Sequence, residues 1–544
     1  MRRKSIFILL LAWVALSGYG QEKATVGQIS IQTDEVLNAD KKVTAYMEAD
    51  GYEGPIGIKL RGNSSLSFNQ KKYTIELRDS NGKEVVAPLA GMPAHTDWVL
   101  LAPYNDVSAV RDPLAFQLWR DMGHWAPRTR MVELEINGEY RGVYILSEAI
   151  KRGEQRVNIA KLKKTDVEGR DITGGYILRI DTYDEDDATF PSKVPGIGEG
   201  IMTSQITWSC IYPKKKKLQP EQLAYIQAFV DSVELTIQSE HFTDPEWGYA
   251  RYIDVPSFVD YFIHTELSLN ADGYKRSAYF YKEKLNADGT GGKLVAGPVW
   301  DYNLAYGNCN FCNADNPEAW CFEGGNTQPT PALWQRLLQD PAFRKAVKVR
   351  YKELRKGVLS NEAINGYIDR HVKLLSPCIK RHFEKYPELL SNKEMQKSEQ
   401  QQPSGVPNMG GFPNMGGFPG MGGFPNMGTF PGMGGFPNMG AFPGMGDMPD
   451  MGGFPGMGGF GQSDAISWFA AYRVSSYEEE IAVLKQWMAN RLSFLDRNIE
   501  LFDSGWEPRI QTPRKDNAPQ FNGAFPAFPS PSPFPPMGPH YNHW

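Results

Sequence analysis

Two aspartates, Asp272 and Asp301, carry the residue types and setting for acid–base and metal chemistry. Asp272 sits in the turn sequence Asn270-Ala271-Asp272-Gly273, and Asp301 follows Pro298-Val299-Trp300. One carboxylate can accept a proton while another holds a hard divalent cation, provided the chain brings both to one place. Far upstream, Arg61-Gly62-Asn63-Ser64-Ser65 and the pair Lys71-Lys72 bracket a Gly/Ser/Asn turn. Its backbone N–H groups and flanking cations suit an oxyanion such as phosphate.

The intervening elements follow from local pattern. Asp254, Pro256 and the apolar positions Phe258, Val259, Phe262 and Ile263 predict a capped helix that delivers the chain to Asn270. Ser277 to Lys282 is rich in strand formers, Asp288 to Gly292 is a Gly-containing turn, and Lys293 to Gly297 is a second strand. Helix, polar loop with an aspartate, hairpin and second aspartate is the order in which kinase-like folds present a catalytic base and a metal ligand. No His-Arg-Asp or Asp-Phe-Gly motif of ordinary kinases occurs here.

The letters resemble those of the spore coat protein H (CotH) kinase family. The blocks are Asn270, Asp272, Gly273, Tyr274, Ser277, Tyr279, Tyr281 and Lys282, then Pro298, Trp300, Asp301, Tyr302, Asn303, Ala305, Gly307 and Asn308, with Arg61-Gly-Asn-Ser-Ser and Phe68-x-x-Lys-Lys-Tyr73 upstream. The resemblance spans roughly 25 to 395 and 464 to 503. It implies an α+β, atypical protein-kinase-like two-lobed fold with a mixed β N-terminal part and a mainly helical C-terminal part. It also implies an ATP- and Mg2+- (or Mn2+-) dependent kinase acting on Ser or Thr of secreted or surface proteins. Asp272 would be the catalytic base and Asp301 a metal ligand. Lys72 or its neighbour Lys71 would hold the phosphates beside Arg61; strand alternation favours Lys72, because Lys71 shares the face of the core residues Tyr73 and Ile75. An ordinary kinase carries a second-metal Asn five residues after its catalytic Asp; here that position is Ser277, with Asn303 or Asn308 as substitutes. Glu148 ends the second strand of a hairpin whose turn is Asn137-Gly138. It is expected either to meet the adenine or to orient Lys72. Asp112 departs from the family's recurrent Arg-Asn pair.

At 544 residues with a net charge of −5 and scattered Lys and Arg, nothing points to nucleic acid as a partner. Residues 1–20 read as a signal peptide, with no membrane span following, so an exported protein, periplasmic or extracellular, is expected. Export permits disulfides, and Cys309, Cys312 and Cys321 are expected to staple a loop; a zinc site there lacks a fourth ligand. The acidic run Asp181 to Asp187 reads as a solvated loop without EF-hand spacing.

The kinase-like domain is expected over 21–395 and again over a closing helix in 464–505, announced by the capping box Ser476-Tyr-Glu-Glu479. A Gly/Pro/Phe/Met low-complexity insertion, 396–463, separates the two, and a Pro/Phe-rich tail fills 506–544. The Phe and Met side chains of the insertion would support weak self-association. The competing class is a catalytically inactive, kinase-shaped surface or adhesion protein, favoured by scarce extracellular ATP and opposed by the joint presence of Lys72, Asp272 and Asp301.

Overall fold

The computed structural model describes residues 25–183, 187–198, 205–323, 329–391, 472–504 and 506. Residues 1–24, with the expected signal peptide, the whole of the insertion expected over 396–463 and the tail beyond 506 lie outside the described residues. The chain divides into a main unit, 1–390 with 462–544, and a second unit, 391–461. Only Ser391 of the second is described.

Period-two alternation builds the first part of the main unit. β1 (Gly27–Gln32), β2 (Val43–Ala49), β3 (Tyr52–Arg61) and β4 (Lys72–Leu77) follow in antiparallel succession. A small hairpin comes next, β5 (Ala87–Leu89) with β6 (Met92–His95), then β7 (Asp97–Leu101) and helix α1 (Arg111–Asp121). The hairpin β8 (Thr129–Ile136) and β9 (Glu139–Glu148) turns through Asn137 and Gly138, both at positive φ, as a two-residue hairpin requires. The seven long strands close a barrel in the order β1-β2-β3-β4-β7-β9-β8. Closure comes from parallel pairing of β1 with β8, so the expected run of antiparallel strands has no free edge there. Ile31, Met47, Ile56, Ile58, Ile75, Leu77, Trp98, Leu100, Leu134 and Leu146 fill its interior. The opposite faces of β7 and β9, through Val99, Leu101, Val143 and Ile145, pack on the helices.

The second part is a five-stranded sheet, ordered β11-β13-β10-β14-β15, from β10 (Tyr176–Ile180), β11 (Ala188–Pro191), β13 (Thr207–Tyr212), β14 (Ala278–Lys282) and β15 (Leu294–Ala296). A two-residue strand β12 (Gly196–Ile197) pairs with β16 (Thr330–Pro331). Around the sheet lie α2 (Pro220–Gln238), α3 (Val255–Ser268), α4 (Leu333–Leu337), α5 (Pro341–Arg355), α6 (Asn361–Leu375), α7 (Ile379–Lys385) and α8 (Tyr477–Ile499). No helix among the described residues is long and apolar enough to cross a membrane.

Helix α8, although it follows the insertion, is built into the main unit. Ser476 Oγ accepts from Glu479 N at its start, and the Glu479 carboxylate accepts from Ser475. Arg111 donates to Glu480 Oε1 (2.6 Å), Tyr472 OH (2.8 Å) and Ala305 O (3.1 Å), joining α1, α8 and the loop after Asp301. Trp487 lies against Gly307, where a Cβ would come within 2.5 Å of the indole and φ is +78°. No side chain fits there.

His382, on α7, accepts from Val143 N through Nδ1 (3.2 Å), and burial pushes its pKa down to about 4 from 6.5. The unfolded chain therefore takes up this proton first as pH falls. The neutral imidazole contributes its full stability above pH 6.5 and loses it progressively toward pH 4. A glutamine can accept the same N–H without titrating. The stability gap between wild type and His382→Gln is expected to be widest at pH 7.5 and to narrow by roughly 1–2 kcal/mol by pH 5. A gap independent of pH in thermal melts would contradict this.

Candidate active site

Helix α3 begins at Asp254, whose side chain accepts from Ser257 N (3.0 Å), and ends at Leu269 in the left-handed region. The chain then turns sharply: Asn270 Oδ1 accepts from Asp272 N (3.2 Å), and Gly273 N donates to Asn270 O (2.7 Å). Strands β14 and β15 carry it to Asp301, itself at φ +63°. For a non-glycine residue that conformation costs on the order of 1 kcal/mol and needs outside support. Asn270 Nδ2 donates to Asp301 O (3.2 Å), so the two aspartate-bearing loops touch directly.

The barrel supplies the cations. Arg61 at the end of β3 pairs in register with Lys72 at the start of β4. Lys72 is 9% exposed, and its Nζ lies 3.7 Å from Asp301 Oδ1. Lys71 instead donates to Leu66 O (2.6 Å), within its own turn. The Arg61 guanidinium stands 5.3 Å over the Trp300 ring, which stacks in turn on Phe116 of α1. The Gly/Ser/Asn turn closes on itself, with Leu66 N donating to Asn63 O and Phe68 N to Ser65 O. These two N–H groups are spent within the turn. Asn63 Nδ2 reaches across to Thr182 Oγ1 (2.9 Å).

Carboxylates crowd the space around Asp301. Burial and then the charge of Asp301 push Asp272 up to about 6, and the same two causes push Asp112 up to about 7. Burial, followed by a smaller push from Asp301, raises Asp181 despite Arg179 beside it. Asp301 is partly open, with a third of its side chain exposed. Neighbouring cations, Lys72, Arg179 and Arg276 among them, offset the repulsion only in part.

Three expectations need correction. Asp181 is not a solvated loop residue: Ile180 pairs with Ala278, so Asp181 faces Ser277, whose Oγ donates to Asp181 Oδ2 (3.3 Å). Only knowledge of the strand order could have found it. Glu148 is fully buried, accepting from Arg128 N (2.9 Å) and Nε (3.2 Å), with Arg156 at 3.9 Å. Those arginines take the carboxylate that was expected at Lys72 or adenine. Asn308 Nδ2 donates to Asn105 O (2.6 Å) and Asn303 O (2.8 Å), bracing the loop after Asp301; Asn303 itself is 9% exposed, two residues beyond Asp301. The expected disulfide is not formed, all five cysteines being thiols. Cys321 Sγ turns to Asn270 O (3.5 Å), and Lys275 Nζ donates to Cys312 Sγ (3.2 Å), so these sulfurs pack against the Asp272 loop.

Comparison with known proteins bears on this arrangement. The family model described as CotH kinase protein matches residues 58–403, a span holding Arg61, Lys72, Asp112, Asp181, Asp272 and Asp301. Inner spore coat protein H of Bacillus subtilis (strain 168) is 23% identical over 309 residues, covering 57% of this chain and 73% of that protein. With its family model matched over more than half its length, and with Asp301 of the motif meeting a barrel lysine, the chain belongs to the CotH kinase family.

Proposed function

We propose that this protein is an exported atypical kinase, two-lobed in the kinase manner, that transfers the γ-phosphoryl group of ATP to Ser or Thr of secreted or surface proteins. The observation that carries the reading is a barrel cation, Lys72, facing Asp301, whose charge repels that of the neighbouring Asp272. Such a cluster would suit a divalent cation bound together with a polyphosphate. Among the described residues no three His, Cys, Asp or Glu side chains form a cage for a metal on their own. Mg2+ commonly takes one or two carboxylates and completes its shell with water and substrate phosphates.

Asp301, with Asn303, would hold the cation, and Lys72 and Arg61 would bind phosphate oxygens. A bound Mg2+ supplies neutralisation of the charge spread over the transferring group. Asp272, raised to about 6, accepts the hydroxyl proton near neutral pH, where a base of that strength is both ionised and able to take a proton. Phosphoryl transfer asks for positioning and electrostatics more than for covalent participation, so these side chains suffice.

Ligand-induced stabilisation tests the reading at low cost. ATP with Mn2+ at about a hundred times Kd is expected to add roughly 2.7 kcal/mol, a rise of a few degrees in Tm that EDTA removes. Absence of any metal-dependent shift would contradict the kinase and favour a kinase-shaped surface or adhesion protein.

A further inference from the structure

The Asp301–Tyr302 peptide is gripped at both ends. Its carbonyl, Asp301 O, accepts from Asn270 Nδ2 (3.2 Å), and its N–H, on Tyr302, donates to Asp112 Oδ1 (2.6 Å). The two side chains come from different elements, the loop after α3 and the first turn of α1, and they are 3% and 4% exposed. Asn270 also holds Asp272 N through its Oδ1. One carboxamide therefore sets the backbone of both aspartates, while Asp112 fixes the far side of the second. The residue between them, Asp301, sits at φ +63°, where an unsupported non-glycine residue would relax.

We propose that Asn270 and Asp112 are positioning residues that clamp this peptide and so aim the Asp301 carboxylate relative to Asp272. The proposal rests on the kinase reading above. Asp112 acts in it as a hydrogen-bond acceptor, and its charge is dispensable.

The test compares Asp112→Ala, Asp112→Asn, Asn270→Ala and the double alanine variant with wild type and Asp301→Asn, each checked by thermal melts. Two readouts are taken: kcat for phosphoryl transfer, and Mn2+ affinity measured by EPR with a non-hydrolysable ATP analogue. Either alanine change is expected to lower kcat about 100-fold, the cost of a displacement near 1 Å, with KM for the acceptor unchanged. Mn2+ affinity should fall about tenfold in parallel. Asp112→Asn should stay within about threefold of wild type, since its carboxamide oxygen accepts the same N–H. The double variant should be little worse than the worse single one, because both grip one peptide.

Asp112→Asn as impaired as Asp112→Ala would overturn the proposal, as would alanine variants equal to wild type in both readouts. If one alanine variant does not fold, the other end of the clamp decides. Should wild type bind Mn2+ and nucleotide without transferring phosphate, the kinase reading fails while the affinity series still judges the clamp. Should it bind neither, both fall together.

Discussion

Asp301→Asn is expected to lower phosphoryl transfer at least 10³-fold while leaving Tm unchanged or slightly raised. Asparagine keeps the shape of aspartate and tolerates the left-handed backbone at φ +63°, so the substitution isolates the charge. Loss of that charge removes a partly exposed carboxylate of the cluster, and with it the proposed anchor for a cation at the phosphates; electrostatic groups of this kind carry several kcal/mol of transition-state stabilisation. The fold itself gains little from it. Asp301 raises both Asp112 and Asp272 by repulsion, against one ion pair to Lys72 at 3.7 Å. A functional cluster that strains the protein and is stabilised by its removal is a known trade-off. Retained transfer would contradict the assignment, and so would loss of activity that merely tracks unfolding.

Arg491→Leu is expected to have the largest effect on stability, about 3–5 kcal/mol, because it strips the partner from a buried charge. Arg491 on α8 and Glu266 on α3 are both fully buried, and their ion pair is 3.3 Å long. Burial raises Glu266 to about 7 even with that arginine beside it. Arg491 also donates to Glu266 O (2.7 Å) and Pro317 O (2.8 Å), and Glu266 accepts from Tyr274 OH (2.9 Å), Cys321 N (2.8 Å) and Phe322 N (2.9 Å). One pair thus ties the helix after the insertion to the loop that carries Asp272. In a domain of this size the loss corresponds to a fall in Tm on the order of 5 °C. Adding Glu266→Gln should recover part of it, since an uncharged partner no longer leaves a bare carboxylate. A melt for Arg491→Leu that coincides with wild type would show the pair to be dispensable.

The aspartates were legible because they lie in contiguous blocks, and the barrel core because Ile29, Ile31, Ile56, Ile58, Tyr73 and Ile75 alternate as a half-buried strand must. Helices α3 and α8 announced themselves through Asp254 and Ser476, whose caps form. What could not be read was long-range pairing. Closure of the barrel depends on β1 meeting β8 some hundred residues later, where Gln28 donates to Glu133 (2.9 Å), and no local pattern encodes that partner. The same blindness hid Asp181, which its own neighbours make look solvated and which the register of β10 with β14 carries to Ser277. It also misdirected Glu148, since Arg128 and Arg156 belong to segments on either side of its hairpin. Asp112 was visible only as a departure from a family pattern; its partner, the N–H of Tyr302, lies 190 residues away.

The most direct measurement is transfer of labelled γ-phosphate from ATP, with Mg2+ or Mn2+, to the protein itself and to a generic acidic acceptor, comparing wild type with Asp272→Ala and Asp301→Asn. Label carried by wild type and lost in both variants, with all three equally folded, is the predicted result. No label from folded wild type, together with no metal-dependent ATP binding, would contradict the kinase assignment and leave a protein of this family that binds without catalysis.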